Sequence, residues 1–320
     1  MFHVKHLIKM KILITEAYNI AGDSLLRLMK SETNFDIYLL SEKAKEQYHN
    51  GNIHLYPCNI LNFKVVKDIA YKIKPDFIIN TLDYGDLQNN NHKKIWDTNV
   101  FAFENICSIA RVLDCHLITI SNDFVFDGEK GLYSEQDKPC AISYYGTSKH
   151  AMENTCLINV IKCTIVRASL LYGYNFYGYQ LLNTNLIYTL KAKREHEISG
   201  NYYTNPCLAD EFAYAVIKII EKRRTGIYHV SGSEYLSISD FTVKVAIANM
   251  LDPGMIKVIP EKQIQRNPEE DDYIPPKKNP MKFGLVNYKS ETDLGIKFSN
   301  IDSGLMAMKH YIYGEKLLPI

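Results

Sequence analysis

In the stretch YYGTSKH (144–150) a tyrosine stands four residues before a lysine. On a helix that spacing puts both side chains on one face, about one turn apart. There the ammonium can lower the pKa of the phenol and help hold a nicotinamide ribose, while the phenol passes a proton to a carbonyl as hydride arrives. Tyr145 and Lys149 are therefore a candidate acid and its partner. The same spacing recurs at Tyr214/Lys218 and Tyr273/Lys277 in a chain with 23 tyrosines, so spacing alone selects none of the pairs. Tyr214 lies in DEFAYAVIKII, where it packs on or caps an amphipathic helix, and Tyr273 precedes two prolines that bar a regular helix. Context selects the first pair. It opens a helix and follows a strand whose carboxyl-end loop is ISNDFVFDG, the end at which open α/β sheets place their sites.

The elements that must position this pair alternate along the first half of the chain. Strand-like runs stand at 12–14, FDIYLL (35–40), IHLYPC (53–58), PDFIIN (75–80), HLITIS (116–121) and CTIVRASLLYG (163–173). Helical patterns fill the gaps at 63–73, at about 93–113 and at about 144–161. Short apolar runs separated by helices imply βαβ crossovers and a parallel sheet covered on both faces, a doubly wound α/β domain. From about 174 tyrosine and asparagine crowd the chain, and GIYHVSG (226–232) reads as one more strand returning to the sheet. A smaller lobe therefore follows and interleaves with the sheet domain: 1–170 with 208–235 form the sheet domain, and 171–207 with 236–320 the lobe. The Pro- and charge-rich stretch at 260–280 has no periodicity and reads as a long loop.

The first unit, KILITEAYNIAGDSLLRLM (11–29), is the strand–turn–helix at which such folds seat a pyrophosphate on a helix N-terminus. Its turn should be glycine-rich. Glu16 and Asn19 stand in the first two glycine positions, and only Gly22 remains. Asn19 is a tolerable substitute because asparagine visits left-handed conformations readily. A carboxylate at position 16 would repel a diphosphate by about 1 kcal/mol or more at roughly 4 Å, unless it turns outward or itself fills the anion site by capping helix amides.

Composition bounds the rest. Hydrophobic residues at 46% and charged ones at 23% of 320 residues describe an ordinary globular chain, and a net charge of +1 offers no attraction to nucleic acid or an anionic membrane. The apolar runs are strand-sized, well below the roughly 20 residues of a membrane helix. Seven cysteines form no CxxC pair and are odd in number, which argues for buried free thiols in a reducing cytosol and against a zinc ribbon or any other metal site. The opening MFHVKHLIK lacks a long apolar stretch and a cleavage site; it reads as an extension before a start at Met10 rather than a signal peptide.

Five blocks in order, ISNDFVFDGEKGLYSEQDKP, YYGTSKHAMEN, IVRASLLYG, NPCLADEFAYAVIKII and GIYHVSGSE, followed by LVNYKSETDLGIKF, resemble the extended short-chain dehydrogenase/reductase superfamily. The dTDP-4-dehydrorhamnose reductase group of nucleotide-sugar 4-ketoreductases is the nearest likeness, over about residues 11–310. The resemblance implies a Rossmann-type sheet with a smaller substrate lobe, in a cytoplasmic enzyme that uses NADP or NAD in deoxysugar or polysaccharide biosynthesis. It assigns Tyr145 as the acid, Lys149 as its partner and Asn122 to the third catalytic position, usually Ser or Thr, where an amide can still donate to a carbonyl. It places Asn19, Ile20, Gly22, Ser41, Lys43, Asn80, Thr81, Asn99 and Ser121 beside the cofactor with Tyr145 and Lys149. Asp123, Phe124, Arg167, Ser169 and Asn205 fall beside a nucleotide-sugar substrate. Asn80 and Asn99 also fit a structural role, satisfying backbone groups, and Arg167 fits a structural ion pair.

Departures from that pattern keep alternatives open. Cys58-Asn59 replaces an acidic position near the adenine, beyond the changes at 16 and 19. Ser41 and Lys43 lean toward a 2′-phosphate and NADP, while Glu42 leans toward NAD. A catalytically silent relative that binds a partner protein or a sugar nucleotide is one alternative, with the regulatory beta subunit of methionine adenosyltransferase as precedent. An epimerase, or a reductase of another nucleotide sugar, is the other. A homodimer through the two long helices is common in relatives.

Overall fold

The computed structural model describes residues 9–85, 91–174, 182–199, 202–259 and 281–308. In chain order the strands are β1 (Lys11–Ile14), β2 (Asp36–Ser41), β3 (Tyr48–Asn50), β4 (Ile53–Pro57), β5 (Phe77–Asn80), β6 (His116–Asn122), β7 (Cys163–Ala168), β8 (Leu171–Tyr172), β9 (His196–Ser199), β10 (Tyr202–Thr204), β11 (Cys207–Leu208), β12 (Gly226–Val230), β13 (Leu236–Ser237), β14 (Ile256–Ile259) and β15 (Met281–Lys282). The helices are α1 (Ile20–Glu32), α2 (Phe63–Ile73), α3 (His92–Trp96), α4 (Ala102–Leu113), α5 (Tyr144–Asn159), α6 (Leu182–Lys191), α7 (Ala209–Lys222), α8 (Ile238–Ala248), α9 (Tyr288–Leu294) and α10 (Ile301–Met308).

Eight strands form one sheet in the order β12-β7-β6-β5-β1-β2-β4-β3, parallel throughout except for the β3–β4 hairpin at the edge. From β1 the chain winds outward one way through β2 and β4, then returns to β5 beside β1 and winds the other way. The point between β1 and β5 is thus a topological switch, where loops from both halves open a crevice. Alternation along the central strands divides the core: Ile12 and Ile14 face α1 and α7 with Leu25, Leu26, Met29, Phe212 and Val216, while Leu13 faces α2, α4 and α5 with Val66, Ile106 and Met152. All of these side chains are buried, each stabilising by about 1.5–3 kcal/mol. The fold is the doubly wound α/β sheet that the alternating pattern implies.

The expected helix at about 93–113 is interrupted. α3 and α4 are joined by a π turn at Asp97–Phe101, which rotates buried Asn99 inward. Such bulges cost regular hydrogen bonds and recur beside functional sites. The expected strand 163–173 is also broken. β7 ends at Ala168, and a bend held by Ser169 N to Val230 O and Cys207 N to Leu170 O precedes β8, which pairs with β11.

Short sheets β13-β10-β15, β11-β8 and β14-β9, with α6, α8 and α10, surround a separate core of Tyr172, Leu190, Phe241, Val245, Ile301 and Leu305. α9 instead packs with α7 and β12 on the large sheet. The stretch 260–280, and with it Tyr273/Lys277, lies outside the described residues, as do residues 1–8. Tyr214 is a surface residue on α7 with Lys218 Nζ 5.0 Å from its ring centroid. Cys140 is exposed, the other six cysteines are buried, and all seven are free thiols. Among the described residues no helix is long and apolar enough to cross a membrane.

Candidate active site

The start of α5 is set by two contacts. Ser143 Oγ accepts from Gly146 N at 3.0 Å, capping the helix, and a Cβ at Gly146 would lie 2.2 Å from Phe124 O. Only glycine lets the first turn press this closely on the short helical turn Asp123–Val125 that follows β6. The contact brings Tyr145 onto Asn122: Nδ2 of Asn122 donates to Tyr145 Oη at 2.6 Å, while its Oδ1 accepts from Phe124 N at 3.1 Å and so fixes which way the amide faces.

Tyr145 Oη in turn donates to Asp83 Oδ1 at 2.7 Å. Lys149 Nζ donates to Ile120 O at 2.9 Å and lies 3.5 Å from the same Asp83 oxygen. Tyrosine and lysine do face one way, one turn apart, but a carboxylate joins them. The phenol is consequently not acidified as the helical spacing alone implies. Burial, followed by the charge of Asp83, holds the Tyr145 pKa well above its ordinary value, so the group is a neutral, proton-loaded phenol.

Asn122, Asp83 and Lys149 line a cleft of about 340 Å³ at the carboxyl ends of β1, β5, β6 and β7, and Tyr145, itself buried, bonds the first two of them. The turn after β1 and the start of α1 contribute Asn19, Ile20 and Ala21; the loop after β5 contributes Thr81 and Asp83; the end of β6 and the turn after it contribute Ser121 to Phe124; and the bend after β7, with the start of β8, contributes Ser169 to Leu171. The far wall is closed by Tyr202 and Thr204 of β10 and by Phe283, just past β15. Asp123 ties these segments on: its Oδ2 accepts from Thr204 Oγ1 at 3.1 Å and Gly284 N at 3.2 Å, and burial pushes its carboxyl up to about 6. Phe124 stacks edge-on to Tyr145 and against Phe283.

The turn after β1 answers the question of Glu16. Its carboxylate folds inward, Oε1 accepting from Tyr18 N at 2.9 Å and Ser41 Oγ at 3.1 Å, with the charge of Lys43 nearby. Burial raises its pKa, so it is more readily neutralised than a surface glutamate. Asn19 caps α1, Oδ1 accepting from Gly22 N at 2.8 Å, and Nδ2 donates to Thr81 O at 2.6 Å. Two side chains thus take backbone donors of a turn that in glycine-rich form would be left for a phosphate. Ser41, expected to hold a 2′-phosphate, is buried and donates to Glu16 instead.

Several other expected contacts are structural. Arg167 is not a cleft residue: its guanidinium pairs bidentately with Glu153, at 2.9 and 2.7 Å, and faces the Phe126 ring and His229 Nε2. A buried arginine needs such a partner, which overrides the substrate-side position that the resemblance implies. Asn205 is likewise turned inward, bonding Ser231 Oγ, Gly232 O and both backbone groups of Leu285. Asn80 joins Thr15 Oγ1 to Thr119 Oγ1 beneath the cleft, and Asn99 clamps the backbone of Tyr84 through both amide atoms while donating to Ser148 Oγ.

Asp83 was invisible to the sequence reading, although its place three residues past β5 at the switch point was a signal. Tyr202, Thr204 and Phe283 also line the cleft, and no local pattern marked them. One observation tests whether a hydride-carrying dinucleotide suits the cleft. Ser121 Oγ is buried in the wall and has no hydrogen-bond partner, which suits a ligand with polar groups. Among the described residues no group of three or more His, Cys, Asp or Glu is placed to hold a metal ion.

Comparison with known proteins follows this geometry. The dTDP-4-dehydrorhamnose reductase of Aggregatibacter actinomycetemcomitans is 26% identical over 247 residues, 73% of this chain and 78% of its own. Methionine adenosyltransferase 2 subunit beta of Xenopus tropicalis is 25% identical over 254 residues, 72% and 75% of the two chains. The crystal structure of dTDP-4-dehydrorhamnose reductase from Bacillus anthracis in complex with NADP superposes with a TM-score of 0.76 at 22% identity, covering 95% of this chain and 99% of that one. The RmlD substrate binding domain family matches residues 10–311, and the chain belongs to that family.

Proposed function

We propose that this protein is an NAD(P)-dependent reductase of a nucleotide-linked 4-keto-6-deoxy sugar, acting in deoxysugar or polysaccharide biosynthesis. The observation that carries the reading is the proton-loaded Tyr145, whose Oη is bonded to Asn122 and Asp83 in the lining of a cleft at the switch point, with Lys149 beside them. A bound nicotinamide dinucleotide supplies the hydride; Lys149, Ser121 and Thr81 would hold its nicotinamide half, and Asn19 to Ala21 face its pyrophosphate.

The chain's own residues do the rest. Tyr145 Oη gives its proton to the substrate oxygen as the carbonyl is reduced, a role for which a neutral phenol is the right starting state. Asn122 Nδ2 keeps the phenol oxygen oriented and stabilises the negative charge left on it. The roles expected for Asn122 therefore shift from polarising the ketone to supporting the acid. Phe124, Tyr202 and Phe283 give the sugar an apolar wall and exclude water, and Asp123 and Ser169 complete that wall. The core around Tyr172 and Phe241 is the body of the substrate lobe in this reading. A homodimer through α4 and α5 belongs to it as well: Val112, Ile158 and Ile161 near their ends are exposed. So does a place in the cytoplasm.

A silent relative is favoured by one observation, the filling of the turn by Glu16. Titration of the protein with NADH and NADPH, followed by nicotinamide fluorescence, separates the readings. Saturable binding with reduction of a dTDP-4-keto-6-deoxy sugar is expected; binding of neither dinucleotide at millimolar concentration leaves the silent relative.

A further inference from the structure

Asp83 touches both members of the Tyr145/Lys149 pair, and neither the family match nor the helical spacing gives it a role. Its surroundings differ from theirs in one respect. The side chain of Lys149 is 2% exposed and Tyr145 is 8% exposed, whereas the side chain of Asp83 is 47% exposed at the mouth of the cleft. Tyr145 Oη bonds the neutral amide of Asn122 and the carboxylate of Asp83. An amide does not donate a proton at any ordinary pH. Lys149 Nζ is engaged with Ile120 O and Asp83 and has no hydrogen bond to the phenol.

This matters because an acid that turns over must be reloaded. Once Oη has given up its proton, the phenolate is enclosed by Phe124, Asn122 and the wall of the cleft. We propose that Asp83 is the group that keeps Tyr145 loaded with its proton and returns that proton from solvent after each turnover.

The inference rests on the reductase reading above. The Oη–H bond of Tyr145 breaks toward the substrate oxygen and leaves a phenolate. The O–H bond of a transiently protonated Asp83 then breaks toward Oη, restoring the phenol and leaving the carboxylate. That carboxylate takes its next proton from water or buffer at the cleft mouth, so atoms and charge balance over the cycle. The transfer to Oη runs downhill, because a phenolate is many powers of ten more basic than a carboxylate.

Lys149, 3.5 Å away, holds Asp83 in reach of the phenol. The charged and titratable groups facing Oη are Asp83 from the loop after β5, Lys149 from α5 and Asp123 from the turn after β6. Of the two carboxylates among them, Asp83 is the one bonded to Oη, and its charge opposes loss of the phenolic proton.

The test reads the phenol directly and does not require turnover. In protein labelled with [13Cζ]tyrosine, the Tyr145 resonance is assigned by its loss in Tyr145→Phe and followed by NMR from pH 7 to 11.5. In the parent it titrates above an ordinary tyrosine, and in Asp83→Asn about one pH unit lower or more. An unchanged titration in Asp83→Asn overturns the proposal. For the parent that reduces a nucleotide-linked keto sugar, Asp83→Ala is expected to lose turnover while binding NADH as the parent does, and formate restores turnover in a saturable, pH-dependent way. Failure of formate to do so also overturns it. A parent that reduces no such sugar defeats the reductase reading instead, and the tyrosine titration still judges Asp83.

Discussion

Replacing Glu153 by alanine strands the guanidinium of Arg167 on the interior strand β7. Both side chains are 2% exposed, and their two contacts, Nε to Oε1 at 2.9 Å and Nη2 to Oε2 at 2.7 Å, are the guanidinium's charged partnership. Breaking a buried pair by removing one partner costs about 3–5 kcal/mol, because the remaining charge stays buried. In a domain of this size each kcal/mol lowers Tm by about 2–4 °C, so Glu153→Ala should melt about 6–20 °C below the parent. The double variant Glu153→Leu/Arg167→Met removes both charges and refills the space, which by itself is close to neutral.

One cost remains in the double variant. His229 Nε2, 3.3 Å from Arg167 Nη1, loses that neighbour while Nδ1 still faces Tyr133 O, and burial with the charge of Arg167 holds the ring neutral, its pKa lowered to about 3. An unpaired buried acceptor costs about 1–3 kcal/mol, so the double variant should recover much, though not all, of the lost Tm. Thermal unfolding followed by circular dichroism measures the series. A Glu153→Ala melting point within about 2 °C of the parent would refute the structural assignment of Arg167. So would an Arg167→Met protein of parental stability whose KM for the sugar has risen.

Tyr145→Phe keeps the ring against Phe124 and removes the proton: kcat for ketone reduction should fall by about 10²–10⁴ while fluorescence titration shows nearly unchanged dinucleotide binding, and a fully active variant removes Tyr145 from its role. Glu16→Gly releases Tyr18 N and Ser41 Oγ and takes a carboxylate out of the turn, so dinucleotide affinity should rise by about fivefold, near 1 kcal/mol. Because burial raises the Glu16 pKa, parental affinity should also improve as pH falls and the carboxyl is neutralised, a trend that Glu16→Gly should flatten. Equal affinities across pH in the two proteins would count against Glu16 as the obstacle. Asp123, pushed up to about 6 from an unfolded value near 3.9, binds its proton more tightly when folded. Its contribution to stability is therefore present below about pH 4 and lost as pH rises to about 6; Asp123→Asn should flatten that part of the Tm–pH curve, and parallel curves would show the carboxyl to be inert.

What could be read in advance divides along physical lines. The helix expected around 63–73 forms as α2, Phe63–Ile73, because what shapes it is local: its period, with Asn62 capping its start and Lys74 in the left-handed region ending it. The long helix through 93–113 was legible as a helix but not in its π turn, since the inward rotation of Asn99 answers Tyr84 and Ser148, which are distant in sequence. Most of the cleft's wall, Asn19 to Phe124, follows from knowing where strands end. The roles inside it did not follow. Arg167 is typed by Glu153 on another element, and Tyr145 is typed by Asp83, 62 residues away. Proximity of charges across the switch point is set by tertiary packing, and no spacing rule encodes it.

Gly22 stands apart from the two altered positions before it. A Cβ there would lie 2.1 Å from Glu16 O and 3.0 Å from the backbone of Ala17, so the residue is demanded by the crossing of α1 over the end of β1 with or without a bound dinucleotide. The fingerprint at the start of such folds is thus two codes printed on one segment. One is an architectural code that chain geometry enforces, and the other is a recognition code that only a ligand enforces. A chain can lose the second and keep the first without any loss of fold, and a glycine surviving at the third place is no witness to what the turn now holds.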